Sequence, residues 1–457
     1  MTDVVTRLPN RLDHKVLRLA REIRAEVAEA LASRGATMSD DERLDGSSTA
    51  EMARRLVDRA LDQRIAGILA SGGDPPPPAG ERAVADLVLA MLFGLGVLQL
   101  WVDDPAVENI DVNGAEQAYV TYADGTKQLV GPVAESDEEL IATVRAAGAR
   151  FGLAERRFDS AQPELDLRLP DGSRLSAVMS VTEHPVIDIR RHRLSDHDLT
   201  DLVALKMLDE ELASFLSAAV RAKRNVLVSG AMNAGKTTLL RALAAEIPPS
   251  ERIVTIEQAL ELGLDHQRDR HPDCVAMEAR LPNLEGVGAI SMAQLVRRSL
   301  RMNASRVIVG EVLGDEVIPM LNAMSQGRSG SMATIHADSS AGVFRRIAAY
   351  AVQAPERLPL EATNLLIAGS IHFVVHVDVG DVPVDRTTPP DIRSRRRQVA
   401  SVREVVDAEG PMIVSNEVWK PDPDGRARQS APLRDVTAAA LAEQGYDHRR
   451  FARGRQW

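Results

Sequence analysis

The stretch GAMNAGKTTLL, Gly230 to Leu240, has the spacing G-x-x-x-x-G-K-[ST], and those residue types suit a phosphate chain. Gly230 and Gly235 let the backbone curl around phosphate oxygens. The N–H groups of the residues between them, Ala231, Asn233 and Ala234 among them, then point inward. A helix begins where the loop ends, so its positive dipole end faces the anion. Lys236 reaches the β- and γ-phosphates as a point charge, the Thr237 hydroxyl can ligate Mg²⁺, and Thr238 follows in the first helical turn. The expected ligands are therefore ATP and Mg²⁺. The apolar run NVLVSG before the loop and LLRALAAEI after it supply the strand and the helix that such a loop needs.

Phosphoryl transfer also needs an acid that holds the metal or orients water. RVIVGE delivers Glu311 at the end of an apolar strand, and RIVTIE delivers Glu257 in the same way. Two strand-end carboxylates beside a phosphate loop can divide the work. One would hold Mg²⁺ through water, with Glu311 the candidate, and the other would polarise the attacking water. Either alone is equally compatible with a solvated strand end. His336 ends SMATIH, where a lone histidine is more often structural. Its neighbour QGRSGS, Gln326 to Ser331, is Gly-rich and polar like a loop facing phosphate, so a γ-phosphate sensor is the second reading of His336.

These residues must be positioned by a chain of 457 residues, long enough for two or three domains. Hydrophobic residues make up 44% and aromatics only 3%, so the cores must be built of Leu, Val, Ile and Ala. A net charge of -11 and a pI near 5.5 argue against coating nucleic acid by bulk charge, though a local basic channel is compatible with them. The single Cys274 excludes an internal disulfide and a four-cysteine zinc site, so no zinc is expected, and a reducing cytoplasm fits. The N-terminal MTDVVTRLPNRLDHKVLRLAREI lacks the apolar segment of a signal peptide. LVLAMLFGLGVLQLWV, Leu87 to Val102, is shorter than the ~20 residues of a membrane span and is broken by Gly94, Gly96 and Gln99; it reads as a buried helix and turn.

Residues 12–35 and about 49–70 carry helical apolar periods, and SGGDPPPPAGER, Ser71 to Arg82, reads as a stiff linker. Residues 1–82 are thus expected to form a helical appendage. Residues 83–193 read as an α+β domain. Its short strands turn at Asn113-Gly114, Asp124-Gly125 and Asp171-Gly172, and a helix is expected over about 137–151. Residues 194–205 read as a hinge. Within 206–431 the apolar runs NVLVSG, RIVTIE, RVIVGE and SMATIHA alternate with helical stretches, the pattern of a parallel sheet with crossovers. IHFVVHV, QVASVREVV and PMIVSNEVW add late strands around a polar loop, Asp381 to Gln398. A basic tail occupies 432–457.

VGEVLGDEVIPMLNAMSQGRSGSMATIHADS resembles the Walker B and histidine boxes of the secretion ATPases of type II and type IV systems, and RIVTIEQALEL resembles their acidic box. DDPAVENIDVNGAEQAYVTYADG and PELDLRLPDGSRLSAV resemble the N-terminal domain of the CpaF-like branch, which powers tight-adherence pili. The resemblance runs from about Leu98 to Lys420. It implies an α/β fold with a RecA-like P-loop ATPase core behind a smaller α+β (PAS-like) N-terminal domain. It also implies a homo-hexameric ring with ATP hydrolysed between subunits, docked on an inner-membrane platform protein from the cytoplasmic side. By position, Lys236 and Thr237 fall in Walker A, Glu257 and Glu261 in the acidic box, Glu311 in Walker B and His336 in the histidine box. Arg174 and Arg190 match the N-terminal arginines expected to reach the nucleotide, with surface salt bridging as the plainer alternative. The chain departs from the pattern at Gln258 (usually Asp), at Leu313 (usually Arg), at Asp315 (usually small) and at Arg328 (often His). Three functions follow as expectations: a motor for pilus assembly or protein secretion, a conjugative DNA-transfer or nucleic-acid motor suggested by SRRR at 394–397 and the basic tail, and a nucleotide-binding scaffold with impaired hydrolysis.

Overall fold

Alternation of apolar and polar residues in the first half of the chain becomes an antiparallel sheet. Its strands are β1 (Val107–Asn113), β2 (Ala118–Tyr122), β3 (Lys127–Val130), β4 (Glu164–Arg168), β5 (Arg174–Val178) and β6 (Val186–Arg190), in the order β3-β2-β1-β6-β5-β4. The computed structural model describes residues 14–35, 46–151, 157–191, 197–280, 282, 286–326, 329–383 and 393–447. It divides into two compact units, Met1–Arg193 and Leu194–Trp457.

In the first unit the Asp124-Gly125 and Asp171-Gly172 pairs make the β2–β3 and β4–β5 turns, with Gly125 and Gly172 at φ 83° and 86°. There a side chain would be strained, so glycine is favoured. Helix Asp137–Phe151 covers one face through Leu140, Val144 and Ala147. The segment expected as a linker contributes differently: a helix, Pro78–Phe93, begins inside the proline run, with Pro77 as N-cap and proline in its first turn. Proline is favoured there because that position needs no N–H donor. The N-terminal helices His14–Gly35 and Gly46–Ala70 share this unit's core: Leu17, Ile23 and Val57 lie in one cluster with Val84, Leu98, Ile110 and Leu140. The apolar segment from Leu87 folds as the end of helix Pro78–Phe93, a turn, and the short helix Gln99–Asp103, with Trp101 and Val102 buried. Among the described residues no helix is long and apolar enough to cross a membrane.

The second unit is built on nine strands: β7 (Val226–Gly230), β8 (Ile253–Glu257), β9 (Cys274–Glu278), β10 (Arg306–Val312), β11 (Met332–His336), β12 (Phe373–Pro383), β13 (Arg393–Glu409), β14 (Met412–Pro421) and β15 (Ala427–Gln429). Their order is β15-β14-β13-β12-β7-β11-β10-β8-β9. The strands from β9 to β12 are mutually parallel, and β13, β14 and β15 continue antiparallel. Both faces of the parallel part are covered, which explains why β7 and β8 are buried at every position. Val226 and Val228 of β7 join the core with Phe215, Leu239 and Leu243, whereas Leu227 faces the opposite core with Val254, Val296 and Leu321.

The stretch expected as a hinge holds helix Leu199–Ala204, capped by Asp198, and its Leu199 and Leu202 belong to the second unit's core. Leu441 of the late helix Asp435–Ala442 and Tyr446 join the same core. The basic end of the tail, residues 448–457, lies outside the described residues, as do Arg328 and most of the polar loop before β13. At the N-terminal end of β10, fully buried Arg306 forms a fork with Glu251, Nε to Oε2 at 3.0 Å and Nη2 to Oε1 at 2.8 Å. These charge-assisted bonds hold the Glu251 carboxyl below its ordinary range against the cost of its burial.

Candidate active site

The C-terminal ends of β7, β8, β10 and β11 converge. Gly230 ends β7 in register with His336 of β11 on one side and Val377 of β12 on the other. A Cβ at Gly230 would run into the Val377 carbonyl oxygen, so only glycine lets the chain leave the sheet here. Asn233 (φ 60°) and Gly235 (φ 97°) take left-handed conformations, which asparagine and glycine tolerate best. The loop thereby curls back, and helix Lys236–Ala244 starts at its end with Gly235 as N-cap. Ala234 is fully buried; Ala231 and Asn233 are exposed, and Thr237 and Thr238 are half-buried in the first turn.

Lys236 turns inward and is only 7% exposed. Its amine donates to the Ala231 carbonyl at 3.0 Å, lies 3.1 Å from His336 Nδ1, and is 3.9 Å from Glu311 Oε1. His336 Nε2 lies 2.7 Å from the same Glu311 oxygen. With the ammonium facing Nδ1, the imidazole proton belongs on Nε2, toward the carboxylate. Lysine, histidine and glutamate thus form one cluster from three separate elements. A bulge makes this possible: between Val309 and Val312 the β10–β11 register shifts. The extra residue re-aims Glu311, and Thr334 fastens the bulge by donating to the Gly310 carbonyl at 2.6 Å.

Glu257, at the end of β8, is 3% exposed. Its Oε1 accepts from the backbone N–H groups of Glu261 (3.0 Å) and Leu262 (2.9 Å). Its Oε2 is buried and has no hydrogen-bond partner among the described residues. Burial pushes this carboxyl up to about 7, against the opposing pull of the two N–H donors. Gly310 makes room for it, since a Cβ there would sit 2.8 Å from Glu257 Cγ. The two acids therefore flank one glycine, Glu311 beside it in sequence and Glu257 beside it in space. Arg241, buried on helix Lys236–Ala244, pins the acidic-box turn by donating to the carbonyls of Glu261 and, at 2.9 Å, Leu262.

Three further contacts around this cluster are not legible in the sequence. Glu316, 3% exposed, accepts from the N–H groups of Leu313 and Gly314, the latter at 3.0 Å, and so shapes the turn after β10 without the usual arginine. Arg397 of β13 donates from Nε to the Asn233 carbonyl at 3.0 Å. Ser401 and Arg403, further along β13, bond Ser340 behind His336 at 3.0 and 3.3 Å.

Arg174 and Arg190 belong to the first unit. They are direct register partners on β5 and β6, and Arg174 pairs in turn with Arg168 on β4. Arg168 was missed, although the hairpin at Asp171-Gly172 predicts its position. Arg190 is exposed; Arg174 lies 3.6 Å from Asp166, the surface pair that its plainer reading requires. Cys274 is half-buried, and burial pushes its thiol up to about 12, beyond thiolate chemistry at neutral pH.

The model of the type II/IV secretion system protein family matches residues 95–377, more than half of the chain. The chain belongs to this family. A Mycobacterium tuberculosis protein named for conjugal transfer is 32% identical over 354 residues, covering 76% of this chain and 93% of that protein. The type IV secretion system protein VirB11 of Brucella suis is 30% identical over 332 residues, covering 66% of this chain and 89% of its own length. The type IV secretion system protein PtlH of Bordetella pertussis is 30% identical over 322 residues, covering 65% and 92%. Among solved structures, the VirB11 ATPase of Brucella suis in complex with sulphate is 27% identical, covers 68% of this chain and 97% of that one, and aligns with a TM-score of 0.35.

Proposed function

We propose that this family member hydrolyses ATP to drive secretion or pilus assembly, as a motor at the inner face of the cell membrane. The observation that carries the chemistry is the convergence of Lys236, Glu311 and His336 on the mouth of the phosphate loop. An incoming phosphate competes with Glu311 for the lysine ammonium, so nucleotide binding repartitions one set of charges. His336, in contact with both, reports which arrangement holds; this is its proposed part as a sensor. The donors beside the loop, the Thr237 hydroxyl and the Glu311 carboxylate, are hard oxygens and fit Mg²⁺. Bound there, Mg²⁺ would neutralise charge on the β- and γ-phosphates. Glu257, held where its proton is exchangeable near neutral pH, suits a general base for the attacking water.

The finer assignments are proposals of the same kind: a homo-hexamer, a platform protein in the membrane as partner, the CpaF-like branch, and a role for Arg174 and Arg190 at the nucleotide. The row Arg168–Arg174–Arg190 supports the last, because three register-paired arginines on adjacent strands concentrate positive charge at one place in the sheet, although Arg174 also faces Asp166. Mg²⁺-dependent phosphate release by the purified chain tests the central reading, and its absence from a folded, assembled protein favours the scaffold. A DNA-transfer motor is the second reading, favoured by the relative named for conjugal transfer. Of the arginines that suggested a basic channel, however, Arg397 faces the phosphate loop. Salt-dependent DNA binding separates the two motors.

A further inference from the structure

Strand β7 divides the surroundings of the phosphate loop. On one side lie β11 and β10, carrying His336 and Glu311; on the other lie β12 and β13. In a loop of this kind the lysine reaches the β- and γ-phosphates. Lys236 contacts the β10–β11 side, so the γ end of a bound phosphate chain points there. The α-phosphate and nucleoside then extend toward β12 and β13.

Arg397 stands on that second flank. Its Nε is tied to the Asn233 carbonyl at 3.0 Å, and its stem lies along the loop, with Cδ 3.4 Å from where a Cβ of Gly235 would be. Glycine at 235 serves the turn, and a side chain there would touch the arginine stem only at van der Waals distance. The side chain is exposed, and among the described residues Arg397 forms no ion pair. The loop carbonyl holds Nε, and the two terminal nitrogens complete a planar fork whose spacing suits phosphate oxygens. An arginine beside an anion loop, oriented by that loop and with no carboxylate partner among the described residues, is arranged for an anion.

We propose that Arg397 binds the α-phosphate of the nucleotide. The inference rests on the ATPase reading and deepens it. The α-phosphate has the same charge in ATP and ADP and does not react. Arg397 therefore contributes binding that is uniform through the reaction, retaining ADP as firmly as it captures ATP.

The test uses the full chain, with ADP and inorganic pyrophosphate as calorimetric probes. Pyrophosphate can fill the β- and γ-sites but carries no α-phosphate. Arg397→Ala should weaken ADP binding roughly ten- to a hundredfold more than it weakens pyrophosphate binding, the loss of one charged hydrogen-bonding group beyond any loosening of the loop it holds. KM for ATP should rise by a larger factor than kcat falls, and Arg397→Lys, which keeps the charge without the fork, should lie between. Parallel loss of ADP and pyrophosphate would overturn the proposal, because the arginine would then only brace the loop. Wild-type binding of ADP matched by Arg397→Ala would overturn this proposal alone. A wild-type chain that binds neither probe would overturn the ATPase reading together with it.

Discussion

Replacing Glu257 by glutamine should change how the second unit responds to pH. The Glu257 carboxyl titrates at about 7 in the folded chain, against an ordinary value of 4.5, because burial opposes its ionisation. A raised folded value means that the folded state holds the proton more tightly than the unfolded chain does. The stabilisation is fully present below pH 4.5 and is lost as pH rises through 7. The displacement corresponds to about 3 kcal/mol, since one unit is about 1.4 kcal/mol. Glutamine keeps an oxygen for the Glu261 and Leu262 N–H groups and cannot ionise. Its amide nitrogen occupies the unpartnered Oε2 position, a cost that is constant with pH. The quantity to compare is therefore the slope of stability against pH and not its offset. Denaturant unfolding of both proteins without nucleotide, from about pH 5 to about pH 8.5, should show the wild type losing stability relative to Glu257→Gln by about 2.5 kcal/mol, the rest of the loss falling below pH 5. If Glu257 is also the general base, wild-type turnover rises with pH through about 7 and the variant's residual turnover lacks that limb. Parallel stability curves for the two proteins would refute the burial argument, and a retained limb in the variant would remove Glu257 from the chemistry.

Lys236→Ala should nearly abolish hydrolysis, whereas Glu311→Gln should bind ATP and turn it over slowly; nucleotide binding and phosphate release on the same preparations distinguish the two. A nucleotide site shared between subunits makes nucleotide a bridge, so a non-hydrolysable analogue should promote a ring of six by mass action, read by light scattering. Arg190→Ala, and less strongly Arg174→Ala, should lower turnover with nearly unchanged melting; a fall in stability that precedes the loss of activity would identify plain surface pairing. Arg306→Ala should cost about 3 kcal/mol, measured by denaturant unfolding, because it removes the fork and leaves the largely buried Glu251 carboxylate with Lys223, at 3.1 Å, as its cationic partner.

What could be read from the sequence follows the range over which each feature is encoded. The phosphate loop is local: its glycines, lysine and threonines are consecutive, and the strand and helix that flank it are contiguous with it. The strand-end acids Glu257 and Glu311 could be placed because each closes an apolar run. The bulge that aims Glu311 could not, since it depends on pairing with β11, more than a loop away. Arg397 read as part of a basic run because its contact with Asn233 spans 164 residues. Strand β9 was overlooked because an edge strand that is half-buried throughout carries little alternation. The proline run was read as linker although proline also opens helices, and an apolar stripe on the N-terminal helices does not reveal which core will cover it.

The position of β13 bears on why the site can be precise although its reactive groups sit at the ends of strands and of a helix, where each element gives way to a loop. Three links run from the β12–β13 pair to the segments that bound the phosphate site. His376 Nδ1 meets the Ser229 hydroxyl at 3.0 Å, one residue before the loop begins. Arg397 holds the loop at Asn233. Ser401 and Arg403 hold Ser340, four residues beyond His336. The phosphate loop and the histidine segment are therefore referenced to one hydrogen-bonded ribbon. Groups at element ends are positioned well only when a rigid neighbour fixes the loops beside them, and a paired strand is such a neighbour. A displacement of β13 would shift the loop and the histidine segment together, preserving the geometry among Lys236, His336 and Glu311 better than independent loop motion could.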